Sequence, residues 1–232
     1  MNPFSQPKNY NEMLTKIMTF TFCISLAFVA LVANCSPAVW SLLHPGWLTF
    51  DVDVLGLKKI PTAYVLIAFL ISFAARITKW HDRVSDVFGI RESFDLHEIL
   101  NPLAGGVGVP IDLTMRGRLI EHRGEIMGRI FCRYASSTNA AIDKHLIWTA
   151  LDKWSWFWIC IEGTTVALIA FSVLLSVGAF PAAAVVGMIV FVGTLVASQA
   201  NRACASPAHN EVREILTEPE RRTEIEAALR AL

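Results

Sequence analysis

Glu162 is the residue whose type and place most demand an explanation. It lies inside the long apolar run from Trp154 to Gly178. A carboxyl group in a membrane-length apolar segment is costly to bury and often serves a function. Thr164 and Thr165 follow it and can extend a polar strip. Such a strip can line a pore, and in a symmetric oligomer the acid would repeat as a ring that favours cations. The competing reading is structural, a carboxylic acid that hydrogen-bonds a neighbouring helix.

A second group is basic. Arg116, Arg123, Arg129 and Arg133 fall, with Arg118, along one expected helix. Arg116 and Arg123 share a face, and Arg129 and Arg133 form an i,i+4 pair. These guanidinium groups can meet a phosphate-bearing ligand or anionic lipid head groups. Glu121 and Glu125 stand among them, so a salt-bridged solvated helix is the favoured reading.

Other residues carry less. His81, Asp82, Asp86, His97, Glu98 and His122 have no standard metal-ligand spacing, and no metal is expected. The run Gly105-Gly-Val-Gly108 lacks a following Lys-Ser/Thr and a βαβ context, and reads as a loop packed against the membrane base. Ser136-Ser-Thr138 has no nucleophile-elbow context. Cys23, Cys35, Cys132, Cys160 and Cys204 form no C-x-x-C pair and read largely as apolar filler. No cofactor is implied, and the expectation is a protein that is not an enzyme.

The elements that must position these residues are helices in a membrane. Hydrophobic residues make up 54% and charged residues 17% of the 232, and mean hydropathy is +0.48. A soluble surface of this size needs more charge, roughly 25%. The fold class expected is all-α, a polytopic protein with four transmembrane helices and a helical cytoplasmic region. Residues 1–12 are a polar N-terminus, and 13–33 the first span, in which Thr19, Thr21 and Ser25 can be satisfied by their own helix. A cleaved leader is the weaker alternative there. Residues 34–60 form an extracytoplasmic interfacial loop with Trp40 and Trp47. The second span, 61–79, starts with Pro61 in its first turn. Its apolar run is only about 15 residues against the roughly 20 expected, so Arg76 and Lys79 must snorkel.

Residues 80–153 form the central cytoplasmic region, with 11 basic and 10 acidic side chains from Arg76 through Lys153. Gly117, Gly124 and Gly128 there would allow a close neighbour. The third span, 154–178, opens on a belt of Trp154, Trp156 and Trp158. The fourth, 182–200, matches small-x-x-x-small at Ala183 and Gly187, which suits close packing. Residues 201–232 are a helical tail, with a helix start at Thr217 as N-cap, Glu218 and Pro219 in the first turn and Glu220 at N3.

Basic residues beside the spans set the orientation. Lys8, Lys16, Arg76, Lys79, Arg83, Lys153 and Arg202 all fall on one side, while Lys58 and Lys59 dissent. Both termini and the central region are therefore expected in the cytoplasm. Zero net charge, from 20 basic and 20 acidic residues, argues against direct nucleic-acid binding.

This layout of a few spans and a modest cytosolic region resembles small multi-span prokaryotic membrane effectors of anti-phage defence systems. The resemblance carries no diagnostic motif and no residue assignment. It implies ion leakage or depolarisation across the cell inner membrane, triggered through a cytoplasmic protein or a nucleotide signal. The function expected is an oligomeric channel or membrane-depolarising effector gated through its cytoplasmic region, with membrane lipids and further copies of the chain as partners. The alternative is a membrane anchor or scaffold that recruits a cytoplasmic partner.

The charge distribution generates a topology prediction. Single cysteines at Ser85 and Asn210, in a background free of native cysteines, will be shielded from a membrane-impermeant thiol reagent in intact cells. Labelling of either from outside contradicts the arrangement.

Overall fold

A computed structural model describes residues 4–43, 51–54 and 57–231, with backbone alone at 51–54 and 57–59. Helix α1 is Tyr10–Cys35 and α2 is Pro37–Leu43. Strands β1 (Asp51–Val54) and β2 (Leu57–Pro61) pair antiparallel. Then come α3 (Thr62–Ile77), α4 (Trp80–Phe88) and α5 (Ile90–Phe94), which passes through a π-helical stretch (Asp95–Leu100) into α6 (Asn101–Gly106). Helices α7 (Leu113–Glu121) and α8 (Arg123–Met127) lead to a second π-helical stretch, Gly128–Cys132. The long α9 (Lys144–Ser176) and α10 (Phe180–Ile215) precede α11 (Pro219–Arg230). The fold is helical, consistent with the all-α class expected, with one short β-pair in addition. Part of the expected interfacial loop, 44–50 with Trp47, lies outside the described residues.

Three helices, α1, α9 and α10, are long and apolar enough to cross a membrane. At 1.5 Å per residue even the shortest, of 26 residues, is about 39 Å long, against roughly 30 Å of hydrocarbon. The count rises to four if α3 and α4, bent by 56° at the break between them, form one span. That pair is the weak second span of the sequence. Lys79 at the break has φ +48°, uncommon for a residue with a Cβ. Lys79 is exposed, but Nη1 of Arg76 is buried with no hydrogen-bond partner among the described residues, where snorkelling was expected.

The chain divides into two compact units. The first, 14–81 and 155–199, packs α1 against α3 through Leu26, Ala33, Ala63, Tyr64 and Ala68. It packs α1, α9 and α10 through Val32, Ala167, Ala170, Leu174, Ala183 and Val186. Small residues let α9 and α10 approach closely. A Cβ on Gly187 would stand 3.1 Å from Phe171, and one on Gly193 2.6 Å from Thr164 Oγ1. Large apolar side chains remain exposed on α3 (Leu66, Phe69, Leu70, Phe73) and α10 (Val185, Met188, Phe191, Leu195). An apolar face of this extent suits lipid rather than water. The tryptophans expected as a belt are instead packed in protein: Trp158 is 1% exposed, and Trp156 lies against Phe20 and under Lys16 Nζ, 4.4 Å from the ring.

The second unit, 4–13, 82–154 and 200–231, has its own core of Leu100, Leu103, Leu119, Ile130, Ile215, Ile225 and Leu229. Its local structure follows capping chemistry. Asn9 Oδ1 accepts from Glu12 N at 2.9 Å while Glu12 Oε2 accepts from Lys8 N at 2.8 Å, a reciprocal cap that orders part of the polar N-terminus. Asp112 caps α7 by accepting from Met115 N at 2.7 Å. Helix α11 is capped one residue later than expected: Glu218 is the N-cap and Pro219 the first-turn residue. Thr217 instead donates to Glu214 O at 2.6 Å.

Helix α9 starts at Lys144, ahead of the expected span at Trp154, and α10 continues past Gln199 to Ile215, through Pro207, so both helices run on beyond their apolar stretches. Three further expectations change. The glycine run at 105–108 is helical to Gly106, where a Cβ would collide with Leu216, and turns at Gly108 with φ +73°. The expected arginine helix is broken at His122, with φ −104°. Gly117, Gly124 and Gly128 have nothing within 4 Å of a built Cβ, so they make no close approach.

Two acids are held in this second unit. Burial pushes the Asp95 carboxyl up, against the pull of Arg123, whose Nη1 donates to Asp95 Oδ2 at 2.6 Å. Glu211, on the part of α10 beyond the apolar stretch, is 5% exposed, and burial pushes its carboxyl up to about 8. The folded state then keeps a proton that the unfolded chain releases above about 4.5. Stability therefore falls as pH rises from about 4.5 to about 8, by on the order of a few kcal/mol. Glu211→Gln, which cannot ionise, will raise the unfolding midpoint at pH 9 and leave it nearly unchanged at pH 4. An equal effect at both pH values contradicts a buried neutral acid.

Candidate functional site

The first unit brings three polar side chains together in an apolar interior. Glu162 lies near the middle of α9, 4% exposed. Thr21 on α1, 1% exposed, donates its hydroxyl to Glu162 Oε2 at 2.6 Å. His81, 3% exposed, places Nδ1 3.6 Å from Glu162 Oε1. His81 is the second residue of α4, immediately after the break at Thr78–Lys79. Its ring also lies 5.6 Å from that of Trp158, one turn before Glu162.

Each side chain is positioned by its helix. Thr21 and Glu162 are fixed by continuous helices whose hydrogen bonds need no solvent. His81 depends on the turn made at Lys79. The Thr21 contact is a short, direct hydrogen bond. The His81 separation exceeds hydrogen-bond length but is within ion-pair range. Two full charges at that distance attract by about 4–5 kcal/mol at an effective dielectric of about 20, a gross figure that desolvation offsets. Carboxyl and imidazole together make a pair able to hold and pass a proton.

The residues singled out in the sequence are dispersed. Thr165 is beside the site: its hydroxyl donates to Ile161 O at 2.9 Å and receives Trp80 Nε1 at 3.5 Å. Thr164 points elsewhere, into an apolar cavity of about 480 Å³ beside Gly193. Of the arginines, Arg123 is engaged by Asp95, and Arg133 Nη1 donates to Glu224 Oε2 at 3.1 Å. Arg129 lines an open cleft of about 500 Å³ with Arg118, Glu121, His122 and Glu125. Arg116 is exposed on α7. The acids and histidines of the central region separate into pairs such as Arg91–Asp82 at 2.8 Å and His209–Glu98 at 2.8 Å. Among the described residues no group of three or more His, Cys, Asp or Glu is placed to hold a metal ion.

Sequence reasoning missed Thr21 and His81 as partners of Glu162. Thr21 was indistinguishable from Thr19, whose hydroxyl does bond its own helix, to Thr15 O at 2.8 Å. His81 was grouped with the charged residues that follow it. Only the shortness of the second span signalled that the chain breaks beside it.

The YmfE protein family matches residues 9–226, nearly the whole chain and every helix of the site. The chain belongs to the YmfE protein family. A relative, the uncharacterized protein YmfE of Escherichia coli (strain K12), is 28% identical over 180 residues, 75% of this chain and 72% of its own. No solved structure matches the chain.

Proposed function

We propose that this YmfE-family chain is a membrane effector that makes the membrane leaky to ions, with Glu162, His81 and Thr21 as the polar step of the path. The observation that carries the reading is the buried acid–imidazole pair at a break between helices. Ionisable side chains at membrane depth mark ion and proton pathways, and broken helices at that depth line cavities or lie within protein. In this reading the chain crosses the membrane four times, α3 and α4 forming the broken span, with both termini and the second unit in the cytoplasm. Copies associate through the exposed apolar face of α10. The layout resembles effectors of anti-phage defence, and a depolarising output fits that role.

Glu162 is enclosed within one chain, so the conducting step is read as lying inside each subunit, with no shared ring of acids. Thr165 borders that step, and Thr164 does not. A second reading, a scaffold that recruits a cytoplasmic partner, is favoured by the open cleft beside Arg118 and Arg129. Arg116 and Arg129 would then serve phosphate or lipid contacts, and Arg123 and Arg133 only where Asp95 and Glu224 release them.

Vesicles reconstituted with the chain test the reading. The wild type will collapse an imposed membrane potential faster than protein-free vesicles. Glu162→Gln, matched for reconstituted amount, will change the leak about tenfold, which corresponds to ~1.4 kcal/mol at the limiting barrier. A wild type as tight as empty vesicles, or a mutant that leaks as the wild type does, overturns it.

A further inference from the structure

Ser25 is the other buried hydroxyl of α1, one turn beyond Thr21 and 0% exposed. Its oxygen has no hydrogen-bond partner among the described residues. That sets it apart from hydroxyls on the same helices. Thr19, Thr165, Ser172 and Thr194 all donate to the carbonyl four residues back, at 2.8–2.9 Å. Back-bonding of this kind is the ordinary fate of a hydroxyl on a helix. Ser25 instead lines a cavity of about 210 Å³, whose other walls are apolar.

The cavity is a slot between helices. Val29 and Val32 of α1, Ile71 of α3, and Ala170 and Val173 of α9 form its walls, and Val39 and Leu43 of α2 also line it. It follows α1 from Ser25 to Val32, about 10 Å at 1.5 Å per residue. A cavity of 150 Å³ with apolar walls stays dry and takes benzene. One hydroxyl among apolar walls does not give a water the two to four polar partners it needs. The slot therefore suits a molecule that is apolar along its length and carries one hydrogen-bonding oxygen.

We propose that this slot binds a membrane-dissolved amphiphile, a chain or single ring bearing one hydroxyl or carbonyl oxygen, with that oxygen on Ser25. The apolar body lies along Val29, Val32 and Ala170, and the oxygen supplies the partner that the Ser25 hydroxyl lacks. The site goes beyond ion conduction and does not rest on it.

Photolabelling of the full chain in lipid nanodiscs tests this, with an octanol carrying a diazirine and an octane carrying the same group. Octanol labelling will saturate, will map to 25–32 and 166–173, and will be competed by plain octanol. Ala170→Phe, which fills the slot, will abolish the saturable part. Ser25→Ala removes only an oxygen and keeps the packing. It will weaken octanol about three- to tenfold, the worth of one hydrogen bond, and leave octane unchanged. Labelling that never saturates and spreads over Leu66, Phe69 and other outward residues overturns the site. So does octanol labelling that saturates identically in Ser25→Ala.

Discussion

A carboxyl group held in an apolar interior must be matched by partners in the protein, and Glu162 imposes that requirement on the first unit. An acid left alone there would cost several kcal/mol, or would have to stay neutral. The requirement is met from two directions. Helix α1 supplies Thr21 in direct hydrogen-bond contact, and the chain just after α3 supplies His81 at ion-pair distance. The site thus ties α9 to α1 and to the start of α4. The break at Lys79 falls where His81 turns inward to face α9: His81 is buried while Lys79 itself is exposed.

Small residues let the helices of the first unit pack closely. Ala68 at 0% and Ala167 at 1% exposure are small residues at helix contacts, and Gly193 lets α10 approach Thr164. Larger side chains there would hold the helices apart. The apolar side chains that do not fit inward, such as Phe69 and Phe191, are left on the outer faces of α3 and α10. The second unit solves a different problem. It stabilises short helices with caps at Asn9 and Asp112 and with pairs such as Asp95–Arg123. Its π-helical stretches, at 95–100 and 128–132, include that same Asp95 and the exposed Cys132.

The long helices were legible because hydropathy over about 20 residues is a strong signal. Glu162 was legible for the same reason, as a charge against an apolar background. Its partners were not. Thr21 lies 141 residues away, and nothing in its own helix distinguishes a hydroxyl that bonds across from one that bonds back. The continuity of helices past the apolar runs was not legible. Lys144 to Lys153 and Arg202 to Ile215, expected as parts of a separate helical region and a helical tail, extend α9 and α10 without a break, because a polar stretch carries no signal of where one helix stops and the next begins. Pro207 costs one backbone hydrogen bond and does not end its helix. The glycines of the central region looked like contact points, but Gly117, Gly124 and Gly128 face open space.

If Glu162 holds α9 to α1 through Thr21, the two side chains are energetically coupled. A double-mutant cycle measures this directly: unfolding free energies in lipid or mild detergent for wild type, Glu162→Gln, Thr21→Val and the pair. The predicted coupling is ~0.5–2 kcal/mol, the range of interhelical hydrogen bonds in membranes and of residues in contact. Effects that add to within ~0.3 kcal/mol would show that the two side chains do not meet, and the site as described would not exist.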